Sequence, residues 1–178
     1  SAADLTAFFF FFCFTVNPNY VQAFYSLGYA YFRQQKYSDS LSWFLKFLDN
    51  EKNTQSPMYF DALNRVGDAY FSARNFSRAT EYYERAMSDP SKGDYALFQS
   101  AYMSGLQKNY QQKIIKLEQL LKLYPNSEYG DDALYEIGRS FVMLENNMKV
   151  IENNRRLLAT YPNSVIAPKA QLEIGMVY

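Results

Sequence analysis

Five stretches of this chain, residues 23–32, 62–71, 96–105, 133–142 and 170–178, align without internal gaps. The small residues Gly28, Gly67, Ala101, Gly138 and Gly175 fall into one column, separated by 39, 34, 37 and 37 residues. A period of that size holds two helices and a turn. It restricts the chain to a solenoid of stacked helix pairs, in which each unit can bury its apolar face only against its neighbours.

Two further columns set the phase of the unit. Tyr37, Phe76, Tyr110 and Asn147 mark the turn between the helices, and Ser40, Ala79, Lys113 and Val150 open the second helix. Ser38 and Ser77 are expected as its N-caps in the first two units. Apolar residues then recur at helical spacing, as in Leu41, Phe44, Leu45 and Leu48 or Ile114, Leu117, Leu120 and Leu121. A glycine inside a helix costs about 1 kcal/mol relative to alanine. Its retention in four of the five segments therefore calls for a packing reason, namely an approach of helix A to helix B too close for a side chain. Tyr31, Tyr70 and Phe141 are expected to fill the grooves between helices. Pro90, Pro125 and Pro162 follow the B helices, where proline bars continuation.

The run Leu27-Gly28-Tyr29-Ala30-Tyr31 with Tyr37 and Phe44, and the run Val66-Gly67-Asp68-Ala69-Tyr70 with Phe76, Ala79, Tyr83 and Ala86, resemble tetratricopeptide repeats. The resemblance extends from Val21 to the C-terminus. It implies an all-α, right-handed superhelical solenoid: a preceding helix B over 1–19, four full repeats over 20–56, 57–93, 94–127 and 128–164, and a fifth helix A over 165–178. Lys113 and Val150 stand where the family prefers alanine, and Asn147 replaces its turn aromatic. Tyr124-Pro125-Asn126-Ser127 leads into Asp132-Ala133-Leu134-Tyr135-Glu136-Ile137-Gly138, and Tyr161-Pro162-Asn163-Ser164 leads into Lys169-Ala170-Gln171-Leu172-Glu173-Ile174-Gly175. These loops are similar to those of extended repeats in bacterial envelope proteins, including the outer-membrane assembly lipoprotein and cell-division coordinator families. That likeness implies a periplasmic or outer-membrane-associated home, with the cytoplasm as the alternative.

Absences narrow the function. Without a single histidine, a Ser-His-Asp triad, a His-paired cysteine nucleophile and a His-Glu-x-x-His zinc site are excluded. The lone Cys13 supports neither an internal disulfide nor a Cys-x-x-Cys metal site. Lys+Arg and Asp+Glu both number 18, so no net positive field draws in nucleic acid. The expectation is a chain with no catalytic residues, no cofactor and no metal, whose partner is a protein or peptide.

Phenylalanines fill residues 8–12 and are followed by Cys13 and Phe14, an N-terminal segment apolar on every side. It is far shorter than the roughly 20 residues of a membrane span. It lacks the basic flank and small-residue cleavage site of a signal peptide, and Phe12 before Cys13 does not fit a lipoprotein signal. Two readings remain. One is a helix covered by further repeats or by a second copy of the chain, a route to self-association. The other is a stretch whose residue identities mass spectrometry would check. The start without methionine and the end inside a helix A are read as an excerpt of a larger multi-repeat protein.

In the family the A helices line the concave groove. The residues flanking their buried stripe are Gln22, Ser26, Tyr29 and Arg33, then Asp61, Arg65, Asp68 and Ser72, then Tyr95, Gln99, Tyr102 and Leu106, and last Asp132, Glu136, Arg139 and Met143. They suit an extended peptide or partner helix, with tyrosines as anchors and charges setting register. The carboxylate clamp that captures chaperone C-termini is absent, since Tyr25, Tyr29, Asp61 and Asp68 occupy its region. The pair Asp131 and Asp132 reads as first-turn residues favoured by the helix dipole. Asn153 and Asn154 read as helix-surface residues, and Lys108, Lys113, Lys116 and Lys122 as a solvated face. The leading function is a protein-interaction scaffold, and the alternative is a structural spacer or self-association segment.

Overall fold

A computed structural model describes residues 21–177, and among them the chain forms nine helices and no strand. They are α1 Val21–Arg33, α2 Tyr37–Asn50, α3 Pro57–Ser72, α4 Phe76–Ala86, α5 Asp94–Leu106, α6 Tyr110–Leu123, α7 Gly130–Met143, α8 Asn147–Thr160 and α9 Ala167–Val177. The helix proposed within 1–19 and the Phe-rich run lie outside the described residues. None of the described helices is long and apolar enough to cross a membrane. The described residues divide into two compact units, one ending at Ser91 and the other beginning at Lys92. In the first, α1 packs on α2, α3 on α4, and α2 on α3. In the second, α5 packs on α6, α7 on α8, α6 on α7, and α9 on α8.

The glycine column is explained by what faces it. A Cβ on Gly28 would lie 2.7 Å from the Phe44 ring, one on Gly67 2.6 Å from Tyr83, and one on Gly138 2.5 Å from Asn154 Oδ1. Phe44 and Tyr83 are almost wholly buried by this approach. Burying a large side chain is worth roughly 1.5–3 kcal/mol, which outweighs the helix-propensity cost of about 1 kcal/mol for the glycine beneath it. In the third repeat the column carries Ala101 and the facing register position carries Leu117, a smaller side chain, and both are buried. Gly175 has nothing within 4 Å of such a Cβ.

All four A-to-B turns share one geometry. Gln35, Arg74, Lys108 and Glu145 adopt left-handed φ values of 59°, 58°, 60° and 54°. In the first turn Lys36 N–H donates to Tyr31 O (3.1 Å) and Gln35 N–H to Phe32 O (2.8 Å), the paired bonds of a Schellman ending, and the same pair recurs in the other three turns. The cap of the next helix falls earlier than Ser38 and Ser77. In three turns an asparagine supplies it, with Asn75, Asn109 and Asn146 accepting from Arg78, Gln112 and Lys149 N–H at 3.2, 3.2 and 3.1 Å. Lys36 holds the position in the first turn without a side-chain cap. The sharp turn leaves the chain already helical at Tyr37 and Phe76, so both serines lie inside the first turn of helix B.

Asn153 and Asn154 are buried, contrary to the surface reading. Asn154 occupies the position of Phe44 and Tyr83, over Gly138, and its Nδ2 donates to Glu173 Oε2 of α9 at 3.0 Å. Asn153 Nδ2 donates to Leu134 O at 2.6 Å. The column that elsewhere holds Phe44, Tyr83 and Leu117 here holds an amide, whose Nδ2 reaches an acceptor on the neighbouring helix while its Oδ1 is buried without a hydrogen-bond partner.

The Tyr-Pro-Asn-Ser loops act as clasps. Ser127 Oγ donates to Asp94 Oδ2 at 2.6 Å, and Ser164 Oγ donates to Asp131 Oδ2 at 2.5 Å. The same hydroxyls accept from Tyr129 N–H and Ile166 N–H. Each serine thus ties the start of one helix A to the approach of the next, and the Tyr161 hydroxyl rests on Gly130, where a Cβ could not stand. Asp131 is therefore occupied structurally. Asp131 and Asp132 sit in the first turn of α7, as the dipole argument expects.

Candidate protein-binding cleft

Helices α5 and α7, the A helices of the third and fourth repeats, border a cleft of about 290 Å³. Its floor depends on a local exchange of volumes. At the position held by Phe32, Phe71 and Val142 in the other repeats, the third has Gly105, and at the position of Ser40, Ala79 and Val150 it has Lys113. A Cβ on Gly105 would lie 3.0 Å from Lys113 Cδ. The lysine stem passes over the glycine, and its ammonium pairs with Glu136 of α7. Lys113 is 7% exposed. The neighbouring Lys116 is also buried, with Nζ donating to Ser100 Oγ at 2.6 Å. These two lysines are core groups with partners rather than a solvated face. Long aliphatic stems let them fill the helix interface while the ammonium finds an acceptor.

Above that floor stand Tyr102 and Leu106 of α5 and Arg139 and Met143 of α7, with Tyr110 and Ser140 completing the wall. Tyr102, Leu106 and Met143 are 40%, 45% and 58% exposed, an apolar rim open to solvent. The second oxygen of Glu136 lies 3.7 Å from Arg139 Nη1, whose side chain is 59% exposed. One carboxylate therefore lies near two cations, Lys113 from α6 and Arg139 one turn along its own helix.

The predicted groove residues of the first two repeats do something different. Tyr25 and Tyr29 of α1 both donate to Asp61 Oδ2 of α3, at 2.7 and 2.5 Å. Arg65 Nη1 pairs with Asp68 Oδ2 at 2.7 Å, its Nε lies 3.7 Å from Asp61 Oδ1, and its guanidinium lies over the Phe32 ring at 5.3 Å. Tyr83 donates to Asp68 Oδ1 at 2.8 Å. Burial, followed by the hydrogen bond to Asp61, pushes the Tyr29 hydroxyl up to about 12 and moves Tyr25 strongly in the same direction. Tyr29, Asp61, Arg65 and Asp68 thus form a network that locks α1 to α3.

Among the remaining candidates, Tyr102, Glu136 and Arg139 meet in the cleft, whereas Arg33 is exposed at the end of α1. Tyr95 is half-buried against Tyr129 at a ring separation of 5.9 Å, and Gln99 is half-buried on α5. Asp132 is exposed at the start of α7, its carboxyl raised by desolvation and then by Asp131 and Glu136. Lys113 is not among the groove residues that the sequence predicts. The signal for it was the paired swap, a large residue in a small column eight positions after a glycine in a large column.

Two family models of the tetratricopeptide repeat match the sequence, over residues 14–57 and 95–127. Over those residues the chain carries tetratricopeptide repeats. Its first matched repeat contains α1 and α2, and the other contains α5 and α6, one wall of the cleft. No curated protein matches this tetratricopeptide array by sequence. By structure it is similar to MamA (TM-score 0.73, 17% identity, covering 85% of this chain and 84% of that one). A MamA fragment from Desulfovibrio magneticus RS-1 gives 0.71 and 16%, over 89% and 84%. YrrB, described as a TPR protein with an unusual peptide-binding site, gives 0.73 and 18%, over 92% and 80%. At these identities the likeness establishes the fold. Tetratricopeptide arrays are scaffolds for protein–protein contact, and that is the general class of this chain.

Proposed function

We propose that this tetratricopeptide array binds an extended peptide or a partner helix on its helix A face, and that the cleft between α5 and α7 is the seat. The supporting observation is the exposed rim of Tyr102, Leu106 and Met143 around a buried, paired charge. Apolar surface of this kind, next to an oriented polar group, is what a peptide anchor residue needs. The Tyr29, Asp61, Arg65 and Asp68 cluster serves as a brace, because its polar atoms are engaged with one another. The neighbour YrrB, named for a peptide-binding site, lends the reading general support.

The test compares proteins captured by the full protein with those captured by a Leu106→Ser, Met143→Ser variant. An Ile115→Ser variant, altered at another exposed apolar residue, is the control. A partner lost with the cleft pair and kept with the control supports the reading. A partner set unchanged by the cleft pair would leave the alternative, a structural spacer or self-associating segment. The Tyr-Pro-Asn-Ser loops further support a periplasmic or outer-membrane-associated home. Fractionation of cells carrying the tagged full protein tests that, and recovery in the cytoplasm would overturn it.

A further inference from the structure

We infer that the segment bound in this cleft is acidic as well as apolar, with a carboxylate set next to one or more large aliphatic or aromatic side chains. The inference rests on the binding reading of the cleft and names the chemistry of its ligand.

Three charged side chains line the cleft: the cations of Lys113 and Arg139 and the anion of Glu136. Glu136 is committed to the buried Lys113 through Oε2, and its Oε1 is 3.7 Å from Arg139, longer than a hydrogen bond. The cleft therefore carries one positive charge in excess, displayed on a guanidinium that is 59% exposed. A guanidinium engages a carboxylate through two parallel hydrogen bonds, a geometry an ammonium cannot supply. Asp132 lies about two turns before Arg139 on α7, beyond the cleft lining.

The end of α7 matches the apolar half of the ligand. Val142, Met143 and Leu144 are 42%, 58% and 42% exposed, three large apolar residues in a row on the turn that edges the cleft. The equivalent triplets of the other repeats are Phe32-Arg33-Gln34, Phe71-Ser72-Ala73 and Gly105-Leu106-Gln107, each of which has a polar or small member. Met143 of this triplet lines the cleft, and with Leu106 of α5 it sets apolar surface in the same cleft as Arg139. One surplus charge flanked by apolar surface suits a carboxylate in an apolar peptide and is too little for a polyanion, whose binding draws on many cations.

Selection of a random dodecapeptide phage library on the full chain tests the inference. Enriched peptides are expected to carry Asp or Glu beside Leu, Ile, Phe or Met. For a synthetic peptide from that set, Arg139→Gln should raise Kd about tenfold, the loss of one charge-assisted interaction. Exchanging the peptide's own acid for its amide should cost the same in the wild-type protein and little in Arg139→Gln. Enriched peptides that lack an acid, yet lose binding to the Leu106→Ser, Met143→Ser variant, would overturn the acidic ligand and keep the cleft as a binding site. No enrichment, or binding indifferent to that double variant, would overturn both. Arg139 is an exposed side chain, and thermal melting of Arg139→Gln confirms that a loss of binding is not a loss of fold.

Discussion

The buried ammonium of Lys113 on α6 is paired with the carboxylate of Glu136 on α7, so that consecutive repeats are joined by an ion pair at the floor of the cleft. Such a pair brings net stability only when both charges are present, because either one left alone in a low-dielectric site is costly. Lys113→Met and Glu136→Gln are each expected to destabilise the chain by about 2–4 kcal/mol, below the full penalty since Glu136 is partly exposed. The Lys113→Met, Glu136→Gln double variant should recover most of that loss. Urea denaturation of the four proteins gives the coupling energy directly, and additive single effects would show that the pair does not hold the repeats together.

Gly28 and Gly67 lie beneath Phe44 and Tyr83. Gly28→Ala and Gly67→Ala should each destabilise by about 1–3 kcal/mol, because overpacking a filled site exceeds the helix-propensity gain. Gly175→Ala meets no neighbour and should be neutral or stabilising by up to about 1 kcal/mol. The opposite signs are the measurement. A gain at Gly67 would mean that Tyr83 yields easily.

The left-handed residues Gln35, Arg74, Lys108 and Glu145 bear a side chain where glycine is favoured. The strain is about 1–2 kcal/mol per residue, and the entropy that glycine brings to the unfolded chain offsets part of its relief. Lys108→Gly should therefore stabilise by roughly 0.5–1 kcal/mol, read as a higher denaturation midpoint with an unchanged slope. A lowered midpoint would mean that the lysine side chain contributes more than its backbone strain costs.

Tyr29 carries a hydroxyl raised to about 12, through burial first and then its bond to Asp61. A group whose folded pKa lies above its ordinary value of about 10 contributes stability that is intact below that value and lost as pH rises through the folded one. Alkaline destabilisation between about pH 10 and 12 should thus be shallower in Tyr29→Phe than in the wild type. The variant should also lack one late-titrating step in the tyrosinate absorbance. Identical alkaline profiles would place the Tyr29 hydroxyl outside the brace.

The clasp serines have a predictable weight as well. Ser164→Ala removes a donor to the Asp131 carboxylate and an acceptor for Ile166 N–H. The expected cost is about 1–3 kcal/mol, with hydrogen-exchange protection falling first around 161–170. Loss of protection spread evenly over both units would argue against a local clasp.

The repeat register was legible in the sequence because it rests on volume. A small residue every 34 to 39 positions leaves a trace that needs no coordinates, and Gly28 beneath Phe44 is that trace realised. Turn chemistry was less legible. The left-handed residues are Gln, Arg, Lys and Glu, none of which announces a positive φ, so the sequence points to caps at Ser38 and Ser77 instead of at Asn75 and its equivalents.

What the sequence determined by itself was the all-α repeat, the phase of its helices and the absence of a histidine-based catalytic site. These follow from periodicity and residue inventory, which are local properties of the chain. Tertiary structure alone decided which polar residues are spent on the fold and which are left at the surface. Tyr29, Asp61, Arg65 and Asp68 look like a groove in sequence but satisfy one another across α1 and α3, while Lys113, Asn153 and Asn154 look like surface but are buried. The physical reason is that a polar side chain's role is set by whether its partner is another helix or water. That depends on contacts between residues dozens of positions apart, which no reading of one helix face contains.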